Sequence, residues 1–152
     1  MDYKVDLDPT HTVIRLTVTA ETITLEMAED VYSRLKWAAS HGGPYAAIYD
    51  LSLAKDTTLP TYMVRSFARR RPSIPMGRTH VVVGKEPVIY RLACIFQMCR
   101  ETLGRQIEGH KFEVVHSLEE AYDIVGVGVR PEDFTERLSP KRWPHEPTPA
   151  AP

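Results

Sequence analysis

The first side chains that could carry chemistry are the hydroxyls of Thr57 and Thr58, which follow Asp56 near the end of a loop. A helix is predicted to begin near Pro60, so these hydroxyls would lie close to its N-terminus. Free backbone N–H groups and the helix dipole favour a phosphate there, which makes both threonines candidate phosphoacceptors. The same residues also have the composition of an ordinary cap and turn, and that is the interpretation we favour.

A basic segment covers residues 61–80, with five arginines and no acidic residue. Arg65 and Arg69 are spaced i, i+4 and therefore share one face of a predicted helix. Such a face can bind an acidic protein, a phosphorylated ligand or an anionic membrane surface. A solvated helix end is the alternative, because arginine in the last turn stabilises the helix dipole.

Residues 87–103 are predicted to form a helix that is apolar on two sides. One apolar line should face the sheet, and its members are Val88, Leu92, Ile95, Phe96, Cys99 and Leu103. A second line, at i, i+4 and i+8, consists of Tyr90, Cys94 and Met98. Sulfur-containing and aromatic side chains suit an adaptable contact surface, so this line is predicted to contact a partner or a ligand.

Charged residues follow the predicted parallel strands, at the edge where open α/β sheets bind ligands. Asp50 ends one strand, Asp56 lies in the loop after it, and Lys85 follows the next strand. A small enzyme would require four strand-end residues to converge, namely Asp50, Lys85, Glu86 and His116. The six histidines show no metal-ligand spacing and no nucleophile elbow occurs, so we predict no metal, no cofactor and no catalytic residue.

The elements that position these residues alternate between strands and helices. Two segments with period-two alternation, separated by a turn at residues 8–11, predict an antiparallel hairpin. Three strands and four helices are predicted after it in alternation, with Thr24 and Ser117 as N-caps of the first and last helix. Right-handed β-α-β crossovers then give one α/β domain, with a mixed sheet of about five strands flanked by helices.

The domain is predicted to span residues 1–128, with a C-terminal extension over residues 129–152. One more short helix is expected between residues 131 and 138. The last 14 residues contain five prolines, so disorder is predicted from about residue 139. If the extension folds back, Phe134 or Trp143 would cover the second apolar line of the helix over residues 87–103.

The chain resembles the STAS domain in its element order, over residues 3–127, and in two short motifs. These are Ile48-Tyr49-Asp50-Leu51-Ser52, at the end of a buried strand, and Asp56-Thr57-Thr58, shortly before a helix. The family includes anti-sigma factor antagonists and cytoplasmic tails of sulfate transporters, so the resemblance implies a regulatory protein with a phosphorylated threonine. Leu59-Pro60 stands where the family has glycine, which places the chain nearer to STAS-like modules that bind lipids or small ligands.

Composition limits the remaining functions. The chain has 152 residues, a net charge of −1, 43% hydrophobic and 26% charged residues, as expected for one soluble domain. Near-neutral charge argues against nucleic-acid binding, and no apolar run approaches the roughly 20 residues of a membrane span. The N-terminus does not have the pattern of a signal peptide, and Cys94 and Cys99 are predicted to be reduced, so a cytoplasmic location is expected.

We therefore predict a non-enzymatic regulatory module that docks a protein partner or a second copy of itself. The contact surface would include Tyr90, Cys94, Met98, Arg65 and Arg69. The alternative is a carrier for a lipid or another small apolar ligand, with the second line of the helix over residues 87–103 lining its pocket. A small enzyme with its site at the strand ends is the third hypothesis.

Overall fold

Strands and helices alternate along the chain in the computed structural model, which describes residues 2–69, 78–104 and 111–138. The strands are β1 (Tyr3–Asp8), β2 (Val13–Val18), β3 (Thr22–Ile23), β4 (Ala46–Asp50), β5 (Asp56–Thr57), β6 (Thr79–Val83), β7 (Lys111–Val115) and β8 (Glu136–Leu138). The helices are α1 (Leu25–His41), α2 (Thr61–Arg69), α3 (Pro87–Gly104) and α4 (Leu118–Val125). Both predicted N-caps are confirmed, because the Thr24 side chain accepts from the Met27 amide and Ser117 accepts from the Glu120 amide.

Six strands form one mixed sheet in the order β7-β6-β4-β2-β1-β8. β1 and β2 form the predicted antiparallel hairpin, in which Tyr3 pairs with Val18 and Asp8 pairs with Val13. β2, β4, β6 and β7 run parallel to one another, so the predicted α/β class and mixed sheet are confirmed. β3 and β5 pair as a separate two-stranded sheet.

Different helices cover the two faces of the main sheet. On one face, α4 packs Tyr122 and Val125 against a cluster that includes Ile48 of β4. The opposite face is covered by α1, which contributes Met27, and by α3, which contributes Ala93. α2 packs mainly against α3. β4 and β6 are consequently buried on both sides, which explains their nearly continuous apolar sequences.

The segment after α4 differs from the predicted short helix between residues 131 and 138. It contains a 3-10 turn at Pro131–Asp133, followed by β8. β8 pairs antiparallel with β1, with Leu138 opposite Val5, and becomes a sixth strand where about five were predicted. This pairing satisfies backbone groups of β1 that would otherwise form an open edge.

Of the two residues that would cover α3 if the C-terminal extension folded back, Phe134 does not do so. Phe134 packs on the other face of the sheet, with its ring 6.0 Å from that of Tyr122 in α4. Trp143 and the predicted disordered tail from about residue 139 lie outside the described residues.

A buried carboxylate connects the strands at the β8 edge. Asp6 on β1 is 4% exposed and contacts Arg15 on β2 and Arg137 on β8. One terminal nitrogen of Arg15 donates to Asp6 at 3.3 Å, and the other donates to the Tyr122 hydroxyl at 2.6 Å. The Arg15 guanidinium also lies 4.6 Å from the centre of the Phe134 ring. One charged network therefore links three strands to α4 and to the segment that follows it.

We expect Asp6→Ala to lower the free energy of unfolding by about 2–3 kcal/mol, because two guanidinium groups then lose their shared acceptor. Urea unfolding of both forms measures this difference. Lys55→Ala is the matched control, because the ion pair of Lys55 with Glu21 is exposed and its loss should change stability by only about 0.5 kcal/mol. Equal losses in the two variants would show that the Asp6 network contributes no more than a surface pair.

Candidate functional site

A cavity of about 270 Å³ lies between the sheet and the helices on the face covered by α1 and α3. The sheet side is formed by β2, β4, β6 and β7, and the other sides by α1, α2 and α3. Most lining side chains are apolar, and they include Leu16, Val31, Leu35, Val64, Phe67 and Ile89. Pockets for drug-sized ligands occupy roughly 300–1,000 Å³, so this cavity suits a smaller molecule.

Small side chains on two helices leave this space open. α1 presents Ala28 and α3 presents Ala93 to the cavity, at positions where larger apolar residues would occupy part of it. α2 lines the far side with Val64 and Phe67, and the Phe67 ring lies 6.1 Å from the ring of Tyr32 in α1. α2 packs mainly against α3, so the cavity is bordered by helices that come from three separate parts of the chain.

Tyr49, His80 and Arg100 place polar atoms within this apolar lining. Tyr49 on β4 and His80 on β6 lie on neighbouring strands, with the Tyr49 hydroxyl 3.0 Å from Nδ1 of His80. The two rings are stacked, with an interplanar angle of 20°. His80 is 5% exposed and Arg100 is 8% exposed, so both residues are buried. A few polar groups within an apolar pocket are the usual means by which a protein orients a ligand.

Burial changes the acid–base properties of two of these groups. It raises the pKa of the Tyr49 hydroxyl well above its ordinary value of about 10, and the positive charge of Arg100 opposes part of that rise. Burial lowers the pKa of Arg100, while the nearby Tyr49 and Tyr32 oppose the shift. Arginine still keeps its proton at neutral pH. Among the described lining residues, Arg100 therefore contributes a positive charge and Tyr49 a neutral phenolic hydroxyl.

The face of α3 that lines the cavity differs from the predicted one. Val88, at the start of the predicted apolar line, is 40% exposed. The residues that line the cavity are Ile89, Leu92, Ala93, Phe96 and Arg100. Leu92 and Phe96 were therefore assigned correctly to the inner face, whereas Ile89, Ala93 and Arg100 were missed. Arg100 was missed because a search for an apolar line excludes arginine.

The second predicted line on α3, Tyr90, Cys94 and Met98, is not part of this lining. Tyr90 stacks on His116 with the ring centroids 4.0 Å apart, and Met98 is 66% exposed. The cavity is thus lined by other residues than those that the sequence suggested. A role of Tyr90, Cys94 and Met98 in contacting a protein partner stays a prediction.

Arg65 and Arg69 lie on the outer face of α2. Both are exposed, as is Tyr62, whereas Val64 and Phe67 on the inner face line the cavity. The predicted i, i+4 pair therefore shares a helix face, and that face points to solvent. What it binds stays a prediction.

The two candidate phosphoacceptors have different surroundings. Thr57 belongs to β5, and its hydroxyl donates to the Ile23 carbonyl at 2.8 Å and accepts from the Leu59 amide at 3.0 Å. Thr58 is exposed. α2 begins at Thr61, so both candidate hydroxyls precede its first turn. Thr57 has a structural role beside the cavity, and phosphorylation of either residue stays a prediction.

The two aspartates predicted at the strand ends both have local structural roles. Asp50 is 7% exposed, and its carboxylate accepts from the Ser52 amide, which closes the turn after β4. Asp56 on β5 is exposed and accepts from the Thr22 hydroxyl of β3, so it joins the two strands of the small sheet. Lys85 is exposed after β6.

Among the described residues, Asp8, His11 and Asp133 form a group whose potential metal-ligand atoms lie within 4.8 Å of one another. The sequence did not indicate this group, because Asp133 is distant from the other two along the chain and approaches them only in the folded structure. The buried Asp8 carboxylate accepts from the backbone amides of Thr10 and His11 and lies 2.6 Å from Nδ1 of His11. These contacts close the turn between β1 and β2, which accounts for the group without a metal.

Comparison of the chain with protein-family models, curated proteins and solved structures gave no match. The resemblance to the STAS domain therefore stays a prediction that rests on element order and two short motifs. Within residues 2–69, 78–104 and 111–138, no helix has both the length and the apolar content needed to cross a bilayer.

The raised pKa of Tyr49 makes stability depend on pH in the alkaline range. The unfolded chain releases the Tyr49 proton near pH 10, whereas the folded protein keeps it, so this contribution is fully present below about pH 10 and is lost as the pH rises further. We expect Tyr49→Phe to reduce the fall in urea midpoint between about pH 9 and pH 11.

Tyr62→Phe removes a hydroxyl from an exposed tyrosine and is the matched control. The effect of Tyr49→Phe on the pH dependence should exceed that of the control. Identical pH profiles in the two variants would contradict a Tyr49 hydroxyl that burial holds in the neutral form.

Proposed function

We propose that this chain binds a small, mainly apolar molecule in the cavity between the sheet and α1, α2 and α3. The observation that carries the proposal is the cavity itself, about 270 Å³ of space with a predominantly apolar lining and a few polar groups. Protein interiors are normally packed as densely as organic crystals, so a space of this size beside the core requires an explanation. Apolar walls with few, localised polar groups are typical of small-molecule sites.

Occupation of the cavity would stabilise the fold. Side chains that border an unfilled space lack dispersion contacts on that side, and a ligand would supply them. Each Å² of apolar surface that binding removes from water contributes about 25 cal/mol of favourable free energy. A ligand-binding function also explains why Ala28 and Ala93 stand where larger side chains would fill the interior.

Two polar groups of the cavity, Tyr49 and Arg100, are suited to binding rather than to proton transfer. Burial raises the pKa of Tyr49, so its hydroxyl remains a neutral donor over the physiological range. Arg100 keeps its proton although burial lowers its pKa. General acid–base catalysis instead uses groups whose pKa lies near the working pH.

Filling the cavity with a protein side chain should abolish ligand binding. Ala93 on α3 lines the cavity and is 7% exposed, so Ala93→Phe would place a ring in this space. Met98→Phe is the matched control, because it places a ring on the exposed side of the same helix. We expect apolar molecules with on the order of ten carbon atoms to raise the Tm of the wild type and of Met98→Phe but not of Ala93→Phe.

Circular dichroism verifies that each variant is folded before ligand is added. Two results would contradict the binding function. One is equal stabilisation of Ala93→Phe and Met98→Phe by the same ligand. The other is a wild-type Tm that no member of the ligand series changes.

A second candidate function is the docking of an acidic protein surface, as in a regulatory STAS-like module. It is supported by the outer face of α2, where Tyr62, Arg65 and Arg69 are exposed, and by the exposed Met98 on the adjoining α3. Aromatic, methionine and arginine side chains are enriched at protein interfaces. In this proposal, a phosphate on Thr58 would change the charge beside the docking surface.

A second copy of the chain is the first partner to test, because α4 carries exposed acidic residues. We expect sedimentation velocity at low salt to show a dimer that is weakened by added salt and by Arg65→Gln with Arg69→Gln. Lys85→Gln with Arg91→Gln removes the same charge from other exposed positions and should leave the dimer unchanged. A monomer at every concentration and salt level would rule out docking to a second copy.

A further inference from the structure

We propose that the molecule bound in the cavity carries an anionic head group, in the simplest case a carboxylate, which contacts Arg100 while its apolar part occupies the remaining space. This inference rests on the proposed binding function and adds the chemical class of the ligand. The observation that carries it is a buried guanidinium on the wall of a predominantly apolar cavity.

Arg100 belongs to the inner face of α3. It continues the stripe formed by Ile89, Ala93 and Phe96, and like them it lines the cavity. Arginine is rarely buried to this degree, and Arg91 on the same helix has the ordinary exposed position. If this face of α3 served packing alone, an apolar residue would complete the stripe at lower desolvation cost.

Arg100 also brings a positive charge to the described lining of the cavity. The described residues that line it include this guanidinium and no aspartate or glutamate. Burial lowers the pKa of Arg100, which means that desolvation disfavours its charged form. An anion in the same low-dielectric space would be attracted much more strongly than in water and would offset part of that desolvation.

Two tyrosines, Tyr49 and Tyr32, line the cavity together with Arg100. The contact with Nδ1 of His80 restrains the Tyr49 hydroxyl, which the raised pKa keeps neutral. The Tyr49 hydroxyl can donate its single proton to a carboxylate beside Arg100 when Nδ1 of His80 carries a proton and donates to the Tyr49 oxygen.

The cavity volume limits the size of the ligand. At about 30 Å³ per small group, the volume of one water molecule in the liquid, about 270 Å³ holds roughly nine such groups. A carboxylate is the head group that best suits a single guanidinium, because both are planar and can form two parallel hydrogen bonds. Octanoate has a suitable size and is the probe that we choose.

Isothermal titration calorimetry with octanoate and octanamide tests the inference on the full chain. The two molecules share the same apolar chain and a similar planar head group, but only octanoate is charged near pH 7. We expect the wild type to bind octanoate about 10- to 100-fold more tightly, the range expected for a hydrogen-bonded contact with a charged group.

Substitutions at Arg100 identify the group that recognises the charge. Arg100→Met keeps an unbranched apolar stem without the cation, so the preference for octanoate should disappear while octanamide still binds. Arg100→Lys keeps the charge without the planar fork and should retain part of the preference. Arg91→Met, an exposed arginine on the same helix, is the matched control and should bind both probes like the wild type.

The outcomes separate this inference from the function on which it rests. Equal binding of octanoate and octanamide by the wild type would overturn the inference and leave the binding function intact. Failure of both probes to bind at millimolar concentration would overturn both. An undiminished preference for octanoate in Arg100→Met would show that another group recognises the charge. If Arg100→Met does not fold, Arg100→Lys provides the test. An undiminished preference of Arg100→Lys for octanoate over octanamide would contradict a bidentate contact with the guanidinium.

Discussion

The structure depends on how the two faces of the sheet are covered, because parallel strands buried on both sides require apolar cover on each. On one face α4 provides this cover directly, with Tyr122 and Val125 packed against the central strands. On the other face, α1 and α3 present Ala28 and Ala93, and α2 packs mainly against α3. The side chains there do not fill the space between helices and sheet. The same arrangement that buries this face therefore also produces an apolar pocket.

The buried polar groups of the described residues have two kinds of surroundings. Asp6 and Asp8 are carboxylates with protein partners, the first with two arginines on β2 and β8 and the second with the amides of its own turn. Tyr49, His80 and Arg100 come instead from two neighbouring strands and a helix, and they border an open space. The first kind stabilises the sheet and the hairpin. The second kind gives the cavity a polar region beside its apolar one. A ligand with a polar head and an apolar body would match this distribution.

Local signals explain which parts of the fold could be predicted. The alternation in β1 and β2 and the caps at Thr24 and Ser117 each depend on a few neighbouring residues. β8 could not be predicted in this way, because it has three residues and is held by contacts such as that between Asp6 and Arg137, 131 positions apart. The inner face of α3 was predicted only in part, with Leu92 and Phe96 assigned correctly, and Arg100 was missed because pattern analysis places arginine in solvent.

The sequence by itself determined the α/β class, the N-terminal hairpin, the alternation of the longer strands and helices and two helix caps, since periodicity and capping act over one or two turns of chain. It did not indicate the short strands β3, β5 and β8. Only the tertiary structure determined the position and the lining of the cavity. Its lining comes from strands and helices between Leu16 and Phe112, and the sequence does not distinguish an alanine that packs tightly from one that leaves a space. The volume between packed elements depends on the positions of all of them together, and no single segment of the chain encodes it.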